Sequence, residues 1–204
     1  MPSDTASLPA ETAPSPSRTA RLVTTAGVAA VSLALDLWSK AWAWERLREG
    51  PRITVIERWF YFEFGFNTGA AFSLFRDLSW NRGLFITISV LALAYLVRLA
   101  MSLPTTWASG FVAIGCIMAG AAGNLHDRFV RSLFIDGEVR HGVVDFIKVY
   151  YWSGKPWPTF NVADISLVVG VGLLLIFLSR HGEALEAAEA ARKMPARDAE
   201  PSRG

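Results

Sequence analysis

The stretch GLFITISVLALAYLVRLAMSLPTTWASGFVAIGCIMAGAAGNL, residues 83–125, carries a single charged side chain, Arg98. A helix that crosses the hydrocarbon core of a bilayer needs about 20 mainly apolar residues, so this run is too long for one span and long enough for two. The break falls at Ser102-Leu103-Pro104-Thr105-Thr106, where a proline interrupts the apolar pattern. The segment therefore predicts spans over 83–102 and 107–126.

Two further spans follow on either side. Residues 22–44 are uncharged as far as Leu35, and Asp36 and Lys40 enter only near the end. This first span is long and ends in LDLWSKAWAW without a small-residue cleavage site, so it reads as a retained helix and not a signal peptide. The fourth span covers 163–180 and is closed by Arg180 and His181. All four are predicted helical, because in lipid every backbone polar group must be paired within its own segment. The composition agrees, with 52% hydrophobic residues and a mean hydropathy of +0.31. A net charge of +2 gives no field that would point to nucleic acid or an acidic partner. The single cysteine, Cys116, lies in an apolar run and reads as a small hydrophobe.

Residues 1–20, rich in Pro, Ser, Thr and Ala, read as a disordered tail. Residues 21–181 form the predicted transmembrane domain. Residues 182–204 read as a polar tail, beginning as a short helical extension of the last span. Between spans one and two, ITVIERWFYFEFGF (residues 53–66) mixes β-branched and aromatic residues and predicts a small sheet against the membrane. Between spans three and four, Tyr150, Tyr151, Trp152 and Trp157 suit the headgroup belt. The expected fold is thus an all-α polytopic membrane protein, four helices with a β-rich platform between helices one and two.

Alternation places the end of span one, the start of span two, the end of span three and the start of span four on one side. Every polar constellation sits there, whereas the other side carries almost nothing but arginines. Basic residues also occur in the chemical-side loops, so counting alone does not orient the chain. Arg18, Arg21, Arg98 and Arg180 flank span ends on the plain side and favour placing it in the cytoplasm.

The constellations divide into weak and informative ones. Asp36 and Lys40 are four apart and share a helix face, as an interfacial ion pair with Lys40 snorkelling to headgroups, or as a substrate-positioning pair. FNTGAAFSLF (66–75) offers Asn67 and Gly69 as a turn that could approach a ligand, or simply a descending loop. In GAAGNLHDR (120–128), the small residues suit close helix packing, Asp127 and Arg128 read as a structural pair, and Asn124 could hydrogen-bond a partner. Asp164, where the fourth span opens, is explained by an N-cap, but Asp145 in VVDFI has no such account. Two half-buried carboxylates brought together would share a proton and supply an acid and a base at neutral pH. His126, His141 and His181 show no metal-ligand spacing, no serine lies in a GxSxG elbow, and no glycine-rich phosphate loop follows a strand, so neither metal nor cofactor is expected.

As a set, DLWSK (36–40), FNTGAAFS (66–73), GNLHDR (123–128), VVDFI (143–147) and FNVADISL (160–167) resemble the signal peptidase II (prolipoprotein signal peptidase) family of aspartyl peptidases, in the family's order. The resemblance implies that Asp145 and Asp164 are a catalytic dyad. It implies that Asn67, Gly69, Asn124, Arg128 and Asn161 line or order the site, with Asp36 and Lys40 nearby. It further implies a site on the outer surface of the bacterial inner membrane, with both termini cytoplasmic. The substrate would be a prolipoprotein with a diacylglyceryl-modified lipobox cysteine, cut on the amino side of that cysteine, and the cyclic peptide globomycin would inhibit. One departure is visible: residues 129–144 are longer and more charged than this connection usually is, which predicts a surface insertion that leaves the dyad intact. The competing class is a small proton- or ion-coupled transporter, which would place acids near the midplane of several helices or show repeated halves. A non-enzymatic scaffold would leave Asp145 and the asparagines without a role.

Overall fold

A computed structural model describes residues 16–69, 81–151 and 154–193. The terminal parts of both expected tails (1–15 and 194–204), residues 70–75 of the FNTGAAFSLF motif and Trp152 lie outside the described residues.

Four membrane-spanning helices make up the body: α1 Arg18–Arg46, α2 Asn81–Ser102, α3 Ala108–Val130 and α4 Val162–Lys193. Among the described residues, three short strands lie between α3 and α4 (β3 Ser132–Ile135, β4 Glu138–His141, β5 Val143–Val149) and two between α1 and α2 (β1 Ile53–Ile56, β2 Phe60–Asn67). The helices lie where hydropathy puts them but run past the predicted ends. α1 starts at Arg18 and so takes up residues assigned to the tail, because the Ser17 hydroxyl caps it by accepting from Ala20 N at 3.2 Å. Arg18 then donates to Met101 O at 2.6 Å, and Arg21 to Thr105 O at 2.8 Å. Arg18 thus satisfies a carbonyl that the end of α2 leaves open, Arg21 satisfies one in the connection to α3, and together they hold the plain ends of α1, α2 and α3. At the same end His181 of α4 stacks on Trp107 with ring centroids 4.5 Å apart.

α3 is the central helix, and its small residues decide how close its neighbours come. A Cβ on Gly115 would meet Thr25 O of α1 at 2.8 Å, and one on Gly120 would collide with Ala163 O of α4. Gly170 of α4 returns the fit against Ile117. Buried Leu96, Ala100, Leu103, Phe111, Ile114 and Phe177 fill the plain half of the bundle. The outward faces carry exposed Val31, Trp38, Leu91 and Val168, which suits a lipid surrounding.

β1, β2 and β5 form one antiparallel sheet in that order, with a register shift in β2 between Phe62 and Gly65. Alternation in β2 points Phe62, Phe64 and Phe66 at the end of α1, where Trp42 meets Phe62 edge-on at 5.4 Å and Trp44 meets Phe64 at 5.9 Å. That aromatic seam is the platform the sequence predicts. β3 and β4 form a separate hairpin, turned by Asp136 and Gly137, both with positive φ (53° and 84°). The segment 129–144 therefore divides: Phe129 and Val130 finish α3, the hairpin follows, and Val143 and Val144 open β5.

Candidate active site

The site is built where the end of α1, the end of α3, the start of α4 and strand β5 meet. Asp145 lies on β5 with 4% of its surface exposed, and Asp164 lies in the first turn of α4. Asn161 joins them. Its Nδ2 donates to Asp145 Oδ1 at 2.7 Å, and its backbone N donates to Asp164 Oδ2 at 3.1 Å. The Asn161 Oδ1 in turn accepts from Asp164 N at 3.0 Å. This reciprocal pair is a capping box, so the N-cap is Asn161 and Asp164 is the third helical residue; the N-cap reading of Asp164 is corrected by three positions.

Three asparagine amides are oriented by partners that can only donate. Lys40 Nζ donates to Asn124 Oδ1 at 2.9 Å, which leaves Asn124 Nδ2 to donate to Asp164 Oδ1 at 2.8 Å. The Asp164 N–H fixes Asn161 in the same way, and the Gly69 N–H occupies Asn67 Oδ1 at 2.9 Å, so that the Asn67 amide is the end offered to Asp145. Asn67 and Gly69 thus form an Asx-type turn, and Gly69 adopts φ 100° with the Phe85 ring where a Cβ would go. Each carboxylate of the pair faces an amide donor whose direction another residue sets.

Beneath this layer lies a buried charged cluster. Lys40 Nζ sits 2.8 Å from Asp36 Oδ2 and 3.7 Å from Asp127 Oδ2, and the three side chains are 0–1% exposed. Lys40 does not snorkel; the interfacial reading is wrong because α3 and α4 close over it. Asp36 Oδ1 accepts from Ala163 N at 2.8 Å, which satisfies another open donor of α4. Gly123 permits this, since a Cβ there would collide with Asp36.

Asp127 and Arg128, expected to pair, point apart. Asp127 accepts from Val144 N at 3.0 Å, the residue before Asp145, and so fastens β5 to α3. Arg128 donates to Asn124 O at 2.9 Å and lies over the Phe85 ring at 4.9 Å. Asp127 is the residue the sequence reading underrates. Its spacing of three from Asn124, on one helix face, was the available signal.

Burial strips Asp145 of solvent, and the neighbouring Asp164 charge adds to this; together they push its carboxyl from 3.8 up to about 7, against the donors Asn161 and Asn67 and the Lys40 charge. An open cavity of about 530 Å³ reaches Asp145 and Asn67 from the platform side, walled by Thr159, Lys148 and the hairpin residues Asp136 and Arg140. The hairpin in the 129–144 segment thus also forms a wall of the cavity. No group of three or more potential metal ligands occurs among the described residues.

A protein-family model described as Signal peptidase (SPase) II matches residues 28–180. The chain is 40% identical over 195 residues to the lipoprotein signal peptidase of Mycolicibacterium smegmatis, covering 96% of this chain and 75% of that one. It is 36% identical over 151 residues to the lipoprotein signal peptidase of Clostridium novyi, covering 73% and 93%. A solved bacterial membrane enzyme, determined by the in meso method at 1.9 Å resolution, superposes with a TM-score of 0.64 at 31% identity, covering 76% of this chain and 92% of that one.

Proposed function

The chain belongs to the signal peptidase II family, and on that premise we propose that Asp145 and Asp164 are its catalytic dyad. As a member of the family the protein is a membrane-bound aspartyl endopeptidase that processes prolipoproteins. The single observation that carries the dyad is Asn161, which hydrogen-bonds both carboxylates and is wholly buried.

The environments of the two acids support a division of parts between them. Asp145, whose carboxyl is pushed up to about 7 by burial and the Asp164 charge, is the general acid, with Oδ2 free to carry the proton because Oδ1 accepts from Asn161. Asp164, which accepts from Asn124 Nδ2 and Asn161 N, is the general base. Asp164 takes a proton from a water that attacks the scissile carbonyl carbon, while Asp145 donates to the carbonyl oxygen. Return of a proton to the peptide nitrogen expels the amine of the new N-terminus. Asn67, Gly69, Asn124, Arg128 and Asn161 order the site, and Asp36 and Lys40 hold Asn124 and the start of α4.

The finer reading of substrate and place follows the same premise. The substrate carries a diacylglyceryl-modified lipobox cysteine and is cut on its amino side, with the lipid chains left in the bilayer beside the helices. The enzyme lies in the bacterial inner membrane with its site facing out of the cytoplasm and both termini inside. The arginines at the opposite helix ends support that orientation. A globomycin-type cyclic peptide would occupy the site.

Purified Asp145→Asn and Asp164→Asn variants, with melting temperatures near that of the parent, should lose at least about 1,000-fold in cleavage of a lipidated prolipoprotein. Cleavage by either variant within tenfold of the parent would reject the dyad. Parent activity insensitive to globomycin would reject the inhibitor reading.

A further inference from the structure

The cavity that reaches Asp145 has two cationic walls that the dyad does not use. Arg140 comes from β4 and Lys148 from β5. In the β3–β4 register Leu133 pairs with Arg140, half-buried and turned toward the cavity, while Phe134 and Val139 face out, 75% and 65% exposed, and Glu138, on the Arg140 face, is exposed at the hairpin end. Among the described residues, neither Arg140 nor Lys148 lies within 4.0 Å of a carboxylate oxygen. The acids on the same walls are Asp136, at the exposed turn, and Asp145 itself. In its acid form Asp145 carries no charge, which leaves Arg140 and Lys148 facing Asp136 alone among the lining residues.

The walls also say which part of a substrate can lie there. All of them are strands and loops of the platform side, and none is a face of a spanning helix. An apolar signal segment belongs among the helices; the chain that leaves the scissile bond for water is the beginning of the mature lipoprotein. We propose that Arg140 and Lys148 form a subsite for an acidic side chain within the first few residues of the mature chain, after the lipidated cysteine. The proposal rests on the peptidase reading above and adds a preference to it. A planar guanidinium suits a carboxylate in two-point contact, and Lys148 of β5 adds a mobile ammonium to the same cavity. An anionic lipid headgroup could meet the same cations, but the cavity contains Asp145 and its donor Asn67, where a lipid would exclude the peptide.

The test uses the full-length enzyme in phosphatidylcholine vesicles, with synthetic diacylglyceryl lipopeptides that differ only after the cysteine: Asp-Asp, Ser-Ser or Lys-Lys. At low salt kcat/KM should fall in that order, by about fivefold in all, and the spread should shrink in 0.5 M salt because half-exposed ion pairs are weak and screened. Arg140→Gln with Lys148→Gln should reduce the Asp-Asp to Lys-Lys ratio to near one. Arg140→Glu with Lys148→Glu should invert it, a gain toward Lys-Lys that misfolding cannot produce. Equal rates for the three peptides with the parent enzyme, or a ranking that survives the charge reversal, would overturn the subsite. A charge reversal that changes rates only when phosphatidylglycerol is added would assign the cations to headgroups and also overturn it. Failure of the parent to cut any of the three would reject the peptidase reading on which the subsite depends.

Discussion

Lys40 Nζ donates to Asn124 Oδ1 at 2.9 Å, and this fixes the direction of an amide whose other end donates to Asp164 at 2.8 Å. An ammonium has only donors, so it cannot be satisfied by a flipped amide. Removing the charge at position 40 therefore does two separable things: it leaves Asp36 buried without a cation and Asp127 with only Arg131 at 3.8 Å, and it takes from Asn124 Oδ1 its shorter donor, leaving Asn161 Nδ2 at 3.2 Å.

Lys40→Met should cost about 3–5 kcal/mol of stability, the penalty for stranding buried charge. Thermal unfolding in detergent checks it. Adding Asp36→Asn to Lys40→Met should recover much of the melting temperature while cleavage stays low, since only the longer donation from Asn161 Nδ2 then orients Asn124. Recovery of both together would show that Lys40 acts through stability alone.

Asn161 combines two duties that one substitution separates. Serine caps a helix about as well as asparagine, but it has no amide to reach Asp145. Asn161→Ser should change the melting temperature by only a few degrees and lower kcat/KM by about 10- to 100-fold. It should also raise the apparent pKa of the falling alkaline limb, because a donor to the charged form of Asp145 is gone. An unchanged pH profile would contradict this account of Asn161.

For the parent enzyme, kcat/KM should fall as pH rises through about 7, where Asp145 loses its proton. Stability runs in the same direction. The Asp145 pKa is raised above its ordinary 3.8, so its contribution is full below that value and is lost as pH rises toward about 7. Asp145→Asn should flatten the melting temperature over that window. A pH–rate profile still rising at pH 8 would exchange the acid and base assignments.

Gly123→Ala should lower both the melting temperature and the rate, since its Cβ would strike the Asp36 carboxylate that caps α4. Gly172→Ala, with open space around its Cβ, should do neither. Melting curves and a cleavage assay on the two variants side by side decide the point.

Hydropathy and alternation are local properties of the chain, and so the sequence by itself determined the four spans, the break at Pro104, the aromatic platform and the gathering of polar residues at one end of the bundle. It also set Asp145 apart, because a carboxylate in an apolar strand needs a reason. Only the tertiary structure decided that Lys40 is buried, that Asp127 turns from Arg128 to the Val144 N–H, that the residue capping α4 is Asn161, and that the charged hairpin walls the cavity beside Asp145. These depend on how closely α3 lets α1 and α4 approach at Gly120 and Gly123. A hydrogen bond needs its two groups within about 3 Å and pointing at each other, and between residues such as Asp36 and Ala163, 127 positions apart in the chain, packing alone sets that distance.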